Sequence, residues 1–103
     1  MPKRFLCPAA RVAPETVVRV DLAEGPCVAV YNLDGAYYAT DDVCTHGDAS
    51  LAEGVVDGTS IMCPYHGGTF DIRTGEPTGP PCIAPLRTFR VTREGDDLYA
   101  EVE

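Results

Sequence analysis

The sequence is short of positive charge, of histidine and of long apolar runs. Eight Lys and Arg face sixteen Asp and Glu, giving a formal net charge of −8. Such a surface does not suit nucleic acid, whose phosphates call for Lys and Arg. It keeps a chain in solution and steers it toward basic protein surfaces. No apolar run is long enough to span a bilayer. The opening Met-Pro-Lys-Arg-Phe-Leu-Cys-Pro lacks the apolar core of a signal peptide, so a cytoplasmic protein without membrane contact is expected. The five cysteines are odd in number and no secretory context accompanies them, which argues against a disulfide framework. In a reducing compartment, metal ligation is the better use of neighbouring Cys and His. The nine prolines argue against long helices. No repeat, linker or low-complexity tract breaks the chain, and its 103 residues are the length of one domain, 1–103.

What the sequence does have is a succession of short β patterns. Thr16 to Val20 is rich in β-branched residues. Pro26 to Leu33 and Ala36 to Thr40 flank Asp34-Gly35, a strong signal for a tight hairpin. Gly54 to Asp57 and Thr59 to Cys63 flank Gly58, with Asp57-Gly58 as a second such turn. Leu86 to Arg93 alternates, with Phe89 and Val91 inward and Thr88, Arg90 and Thr92 outward. Leu98, Ala100 and Val102 share one face of a last strand. Asp48 to Glu53 is the one place for a brief helical turn. The expected fold class is all-β, with small antiparallel sheets in a sandwich or barrel.

The chemistry is concentrated in residues 41 to 71, "DDVCTHGDASLAEGVVDGTSIMCPYHGGTFD". Both histidines of the chain lie here, each close behind a cysteine and each followed by glycine. The pattern is Cys44-Thr45-His46, then sixteen residues that begin with Gly47, then Cys63-Pro64-Tyr65-His66-Gly67-Gly68. A return strand and a hairpin fit in between, so both turns can reach the same end of the sheets. Three occupations come into view. Ordinary buried cysteines and turn histidines would make the double pairing a coincidence. Structural zinc accepts these donors, but its usual spacing pairs Cys with Cys and His with His. A binuclear iron–sulfur cluster takes two thiolates on one iron and two imidazoles on the other.

The run "CTHGDASL…MCPYHGGTFD" resembles the two cluster-binding loops of Rieske proteins. The flanks "YATDDVCTH" and "FDIRTGEPTGPP" resemble the same family, and the similarity extends from about Tyr31 to Arg93. The resemblance implies a Rieske fold with two cluster-binding loops at one end, the cluster-binding part being about 42–82. It implies one Rieske-type [2Fe-2S] cluster as cofactor. Cys44 and Cys63 are then the metal ligands of an inner iron, and His46 and His66 those of an outer iron near the surface. Neutral imidazoles in place of thiolates make reduction easier.

Subclass is suggested by four further positions. High-potential Rieske subunits of respiratory complexes carry an additional cysteine in each loop; Ala49 and Tyr65 stand there in this chain. Those subunits also place Ser and Tyr hydroxyls on the cluster sulfurs; Gly68 and Phe70 occupy those positions and cannot donate. A potential near the low end of the Rieske range, roughly −150 mV, is expected. The chain thus resembles the ferredoxin component of bacterial aromatic-ring-hydroxylating dioxygenase systems. In that family a flavin-containing ferredoxin reductase supplies electrons and a terminal Rieske oxygenase receives them. An oxygenase site of its own needs two further histidines, and none remain. The resemblance therefore implies a monomeric electron carrier and not an enzyme. The alternative from another class is the Rieske-like small subunit of a nitrite reductase, many of which lack the ligands that this chain keeps.

Other residues carry milder expectations. Asp41, Asp42 and Asp48 flank the first loop and suit a basic partner face. Pro80 and Pro81 suit a loop over the cluster. Tyr65 and Phe70 are expected to pack beside it, and Tyr31, Tyr37 and Tyr38 within the strands. Cys7, Cys27 and Cys82 are expected as small buried hydrophobes.

Overall fold

The computed structural model describes residues 3–23, 25–45, 49–65, 67–80 and 84–102. Within them the chain is almost wholly β, in three antiparallel sheets. The central sheet takes β2 (Thr16–Asp21), β3 (Cys27–Leu33), β4 (Ala36–Asp41) and β9 (Thr88–Phe89), in that order. A second sheet has β1 (Lys3–Pro8) and β10 (Val91–Glu94) on either side of β11 (Asp97–Glu101). The third is a meander of β5 (Val55–Asp57), β6 (Ser60–Met62), β7 (Thr69–Asp71) and β8 (Pro77–Gly79).

Strand β3 explains why there are two cores. Its residues are buried on both faces, so it reads as a continuous apolar run and not as an alternation. Val28 and Val30 point into a core shared with Leu6, Cys7, Leu98, Ala100 and Val102. Ala29, Tyr31 and Leu33 point the other way, into a core with Leu51, Ile61, Phe70 and Ile72. Cys44 and Cys63 belong to this second core. The Tyr31 hydroxyl, buried there, lies 2.9 Å from Thr40 Oγ1, so its polar end is satisfied.

The expected hairpins form, each for a local reason. Leu33 pairs with Ala36 across Asp34-Gly35, and both loop residues have positive φ (54° and 89°), as a type I′ turn requires. In the next hairpin Asp57 is the last strand residue, paired with Ser60, so the loop is Gly58-Thr59 and not Asp57-Gly58. The brief helical turn contracts to a 3-10 turn over Leu51–Glu53. Leu86 to Arg93 is not one strand. It is shared between two sheets, with Thr88–Phe89 on β4 and Val91–Glu94 on β11, and Arg90 at the joint. Phe89 and Val91 do turn toward the first-named core, half-buried. Among the described residues no helix is long and apolar enough to cross a membrane.

Candidate metal centre

Two strands of different sheets deliver the two cysteines. Beyond β4 the chain makes a bridge between Val43 and Ser50 and turns back on itself. Beyond β6 it does the same before β7. The two turns are closed alike. The Cys44 N–H donates to the Ala49 carbonyl at 2.9 Å, and the Cys63 N–H to the Gly68 carbonyl at 2.7 Å. Each cysteine amide thus bonds five residues ahead, and each enclosed segment carries one of the two histidines. Gly67 sits in the second turn at φ 71°, where a side chain would be strained. A third segment reaches the site as well: the Thr45 hydroxyl donates to the Ala84 carbonyl at 2.8 Å.

The cysteines end side by side at the edge of the core, each 2% exposed and neither in a disulfide. Burial pushes the Cys63 thiol up from its ordinary value of 9.0. The Cys44 side chain, within hydrogen-bond reach, pushes it further, while the Tyr65 N–H acts the other way. The raised Cys63 thiol gives up its proton more readily when a cation takes the proton's place. The pair suits soft metal ligation, in which bound iron takes the place of the protons. Leu51, Ile61 and Phe70, all fully buried, keep water from the inner side.

His46, Gly47, Asp48 and His66 lie outside the described residues, as do Pro81 and Cys82. The described half of the donor set, Cys44 and Cys63, is brought together. Phe70 packs in the same core, as expected. Tyr65 is 58% exposed, while its backbone N–H meets Cys63. Pro80 is exposed. Cys7 is buried, whereas Cys27 is only half-buried and its Sγ meets an Arg19 guanidinium nitrogen at 3.3 Å.

The acidic flank also differs from expectation. Asp41 is held by Arg87 through two bonds of 2.8 and 2.9 Å. Asp42 is 1% exposed and cannot present charge to a partner. Its carboxylate accepts bonds from the Ser50 hydroxyl and the Ala52 amide instead. Nothing in the sequence pattern distinguished it from its neighbour.

Comparison with known proteins agrees with this arrangement. The family model of the Rieske [2Fe-2S] domain matches residues 3–90. The ferredoxin component of the p-cumate 2,3-dioxygenase system of Pseudomonas putida is 45% identical over 98 residues, covering 94% of this chain and 83% of that protein. Ferredoxin CarAc of Metapseudomonas resinovorans is 43% identical over 98 residues, covering 95% and 92%. Among solved structures, the Sphingomonas yanoikuyae B1 ferredoxin superposes with a TM-score of 0.95 at 43% identity, over 99% of this chain and 100% of that one. A chain from the complex of reduced oxygenase and oxidized ferredoxin in carbazole 1,9a-dioxygenase gives 0.91 at 41%, over 98% and 95%. A putative nitrite reductase small subunit superposes at 0.82 with 24% identity, which speaks for the shared fold alone.

Proposed function

The chain belongs to the Rieske [2Fe-2S] family, and on that premise we propose that it is the electron-carrying ferredoxin of a ring-hydroxylating dioxygenase system. Its cofactor is one Rieske-type [2Fe-2S] cluster. In this reading Cys44 and Cys63 hold the inner iron, and His46 and His66 the outer one. When bound, the cluster supplies a one-electron couple raised in potential by its imidazole ligands. The chain's own residues do the rest. The buried thiols anchor the inner side against Leu51, Ile61 and Phe70, which exclude water. In this reading the two imidazoles, on the outer iron, give a short route for an electron to a docked protein.

Both histidines are committed to ligation, so no residues remain for a mononuclear iron site, and the chain carries electrons without catalysing a reaction of its own. It accepts electrons from a flavin-containing ferredoxin reductase and passes them to the terminal oxygenase. Support for the second partner comes from relatives that are ferredoxin components of dioxygenase systems, one of them solved with its oxygenase. Residues 1–103 act as a single domain with its cluster-binding part at about 42–82, as a monomer in the cytoplasm. The observation that carries the reading is the pair of alike turns bringing Cys44 and Cys63 together in a chain of this family.

The test is a reconstituted electron path. Holoprotein is titrated with dithionite and then mixed with a reductase and oxygenase of such a system. Uptake of a single electron per chain, and hydroxylation that stops when this protein is left out, is the expected result. Hydroxylation at the same rate without it would overturn the assignment.

A further inference from the structure

One buried residue, Asp42, gathers the return limb of the first cluster loop from behind. Three consecutive residues on that limb all bond to Asp42. The Ser50 hydroxyl donates to Oδ2 at 2.6 Å, the Leu51 N–H to the main-chain carbonyl at 2.7 Å, and the Ala52 N–H to Oδ1 at 2.9 Å. The Asp42 N–H in turn donates to the Cys27 carbonyl at 3.0 Å, which fixes the assembly to β3. The buried Asp42 therefore ties down the return limb of the loop, beside the Val43–Ser50 bridge and the Cys44–Ala49 bond that close it. Arg19 is close by: its Nε lies 3.9 Å from Oδ2 but only 2.8 Å from Asp21. Arg19 thus supplies countercharge at the limit of contact, while Ser50 and Ala52 set the carboxylate's orientation.

A carboxylate that is 1% exposed is costly to bury, and the cost is offset only where its oxygens are bonded. Removing it leaves the Ser50 hydroxyl and the Ala52 amide without a partner. A cleft of about 220 Å³, lined by Arg19, Asp42, Val43, Ala49 and Ser50, borders the same loop. It gives Val43, Ala49 and Ser50 room to shift once the carboxylate's bonds are gone. Cys44 is two residues from Asp42, so any such movement is carried directly to its sulfur.

We propose that Asp42 is a positioning residue: its carboxylate, by fixing Ser50 and Ala52, sets Cys44 to receive the inner iron, and its negative charge holds the cluster's potential down. The inference rests on Cys44 being a ligand, as proposed above. Groups that orient metal ligands from behind typically change metal affinity when removed, and nearby net charge shifts the potential of an iron–sulfur centre.

Two substitutions separate geometry from charge. Asp42→Asn is isosteric and removes the charge. Ser50→Ala removes one hydroxyl, leaves the charge and disturbs nothing in the core. Each holoprotein is followed for bleaching of its visible absorption in excess EDTA, and its midpoint potential is titrated. Asp42→Asn is expected to lose its cluster about 10- to 100-fold faster than the wild type, with a midpoint shifted upward. Ser50→Ala is expected to lose it faster by a smaller factor, with an unmoved midpoint. Should Asp42→Asn fail to fold, Ser50→Ala decides alone, and bleaching at the wild-type rate overturns the positioning role. An Asp42→Asn midpoint that moves no more than that of Ser50→Ala overturns the electrostatic half. A Cys44→Ala variant that retains its cluster overturns the ligand assignment and this inference together, so the two failures are distinguishable.

Discussion

Gly54 gives the most direct mechanical test of how the second loop is held. Its backbone, at φ −87° and ψ −163°, is one that alanine adopts freely, so no conformational strain attends Gly54→Ala. Space is what fails. A Cβ at this position would stand 2.0 Å from the Met62 carbonyl oxygen and 3.1 Å from that of Leu51. Real Cβ atoms come no closer than 3.0 Å, so β5 and β6 must part by about 1 Å at this point. The atoms in the way are backbone and cannot swing aside. Met62 is the partner of Val55 at the end of the β5–β6 ladder and immediately precedes Cys63. Overpacking of this kind costs about 1–3 kcal/mol, and loss of the terminal ladder bond about 1 more. At about 4–8 °C per kcal/mol for a domain of this size, the melting temperature should fall by roughly 8–30 °C. Melts of the holoprotein followed by far-UV circular dichroism and by visible absorption give both readouts, and the colour should be lost first. Gly58→Ala is the control. Gly58 has φ 61° and open space around it, so it incurs left-handed strain of about 1–2 kcal/mol without displacing Cys63. A Gly54→Ala protein that melts within about 2 °C of the wild type with its colour intact would refute the close approach.

Further outcomes follow from the same structure. His46→Cys should make the outer ligation more negative and lower the midpoint potential in a redox titration; an unchanged midpoint would contradict the role of His46. Stability should fall at alkaline pH. Burial raises both the Cys7 thiol, from 9.0, and the Tyr31 hydroxyl, from 10.0, so the folded chain keeps these protons to higher pH than the unfolded chain does. Their stabilisation is complete below pH 9 and is lost progressively above it. Urea midpoints of the holoprotein between pH 7 and 11 check this, and Cys7→Ala should delay the onset toward the range of Tyr31. Phe70→Ala should cost about 3–5 kcal/mol in chemical denaturation, because the ring is fully buried against both cysteines' core; a cost below about 1 would mean the site lacks that wall.

Much of this architecture was legible because its signals are local. Asp34-Gly35 demands two positive φ values and nothing else in the hairpin competes with it. Leu98, Ala100 and Val102 alternate cleanly because β11 buries one face only. The two Cys/His turns could be paired because glycines and spacing mark both. What stayed hidden depends on contacts distant in sequence. Strand β1 breaks its alternation at a bulge between Phe5 and Cys7, so that neighbours Leu6 and Cys7 are both buried. Strands β7 and β8 have three residues each, too few to establish a period, and β8 begins with proline. The division at Arg90 follows from the sheets on either side, not from the segment's own pattern. Asp42 and Asp41 are adjacent acids in sequence, yet one is a buried anchor and the other a partner of Arg87; only the fold separates them.

The central claim is that His46 and His66 complete, on a second iron, the site whose inner side is formed by Cys44 and Cys63. Pulsed electron paramagnetic resonance on dithionite-reduced protein reads this directly, because nitrogen bound to iron couples to the unpaired electron. Two strong imidazole nitrogen couplings are predicted in the wild type, with altered isotope splitting when histidine is labelled with ¹⁵N. A reduced centre whose spectrum carries no such coupling, or a protein with no paramagnetic centre at all, would contradict the account.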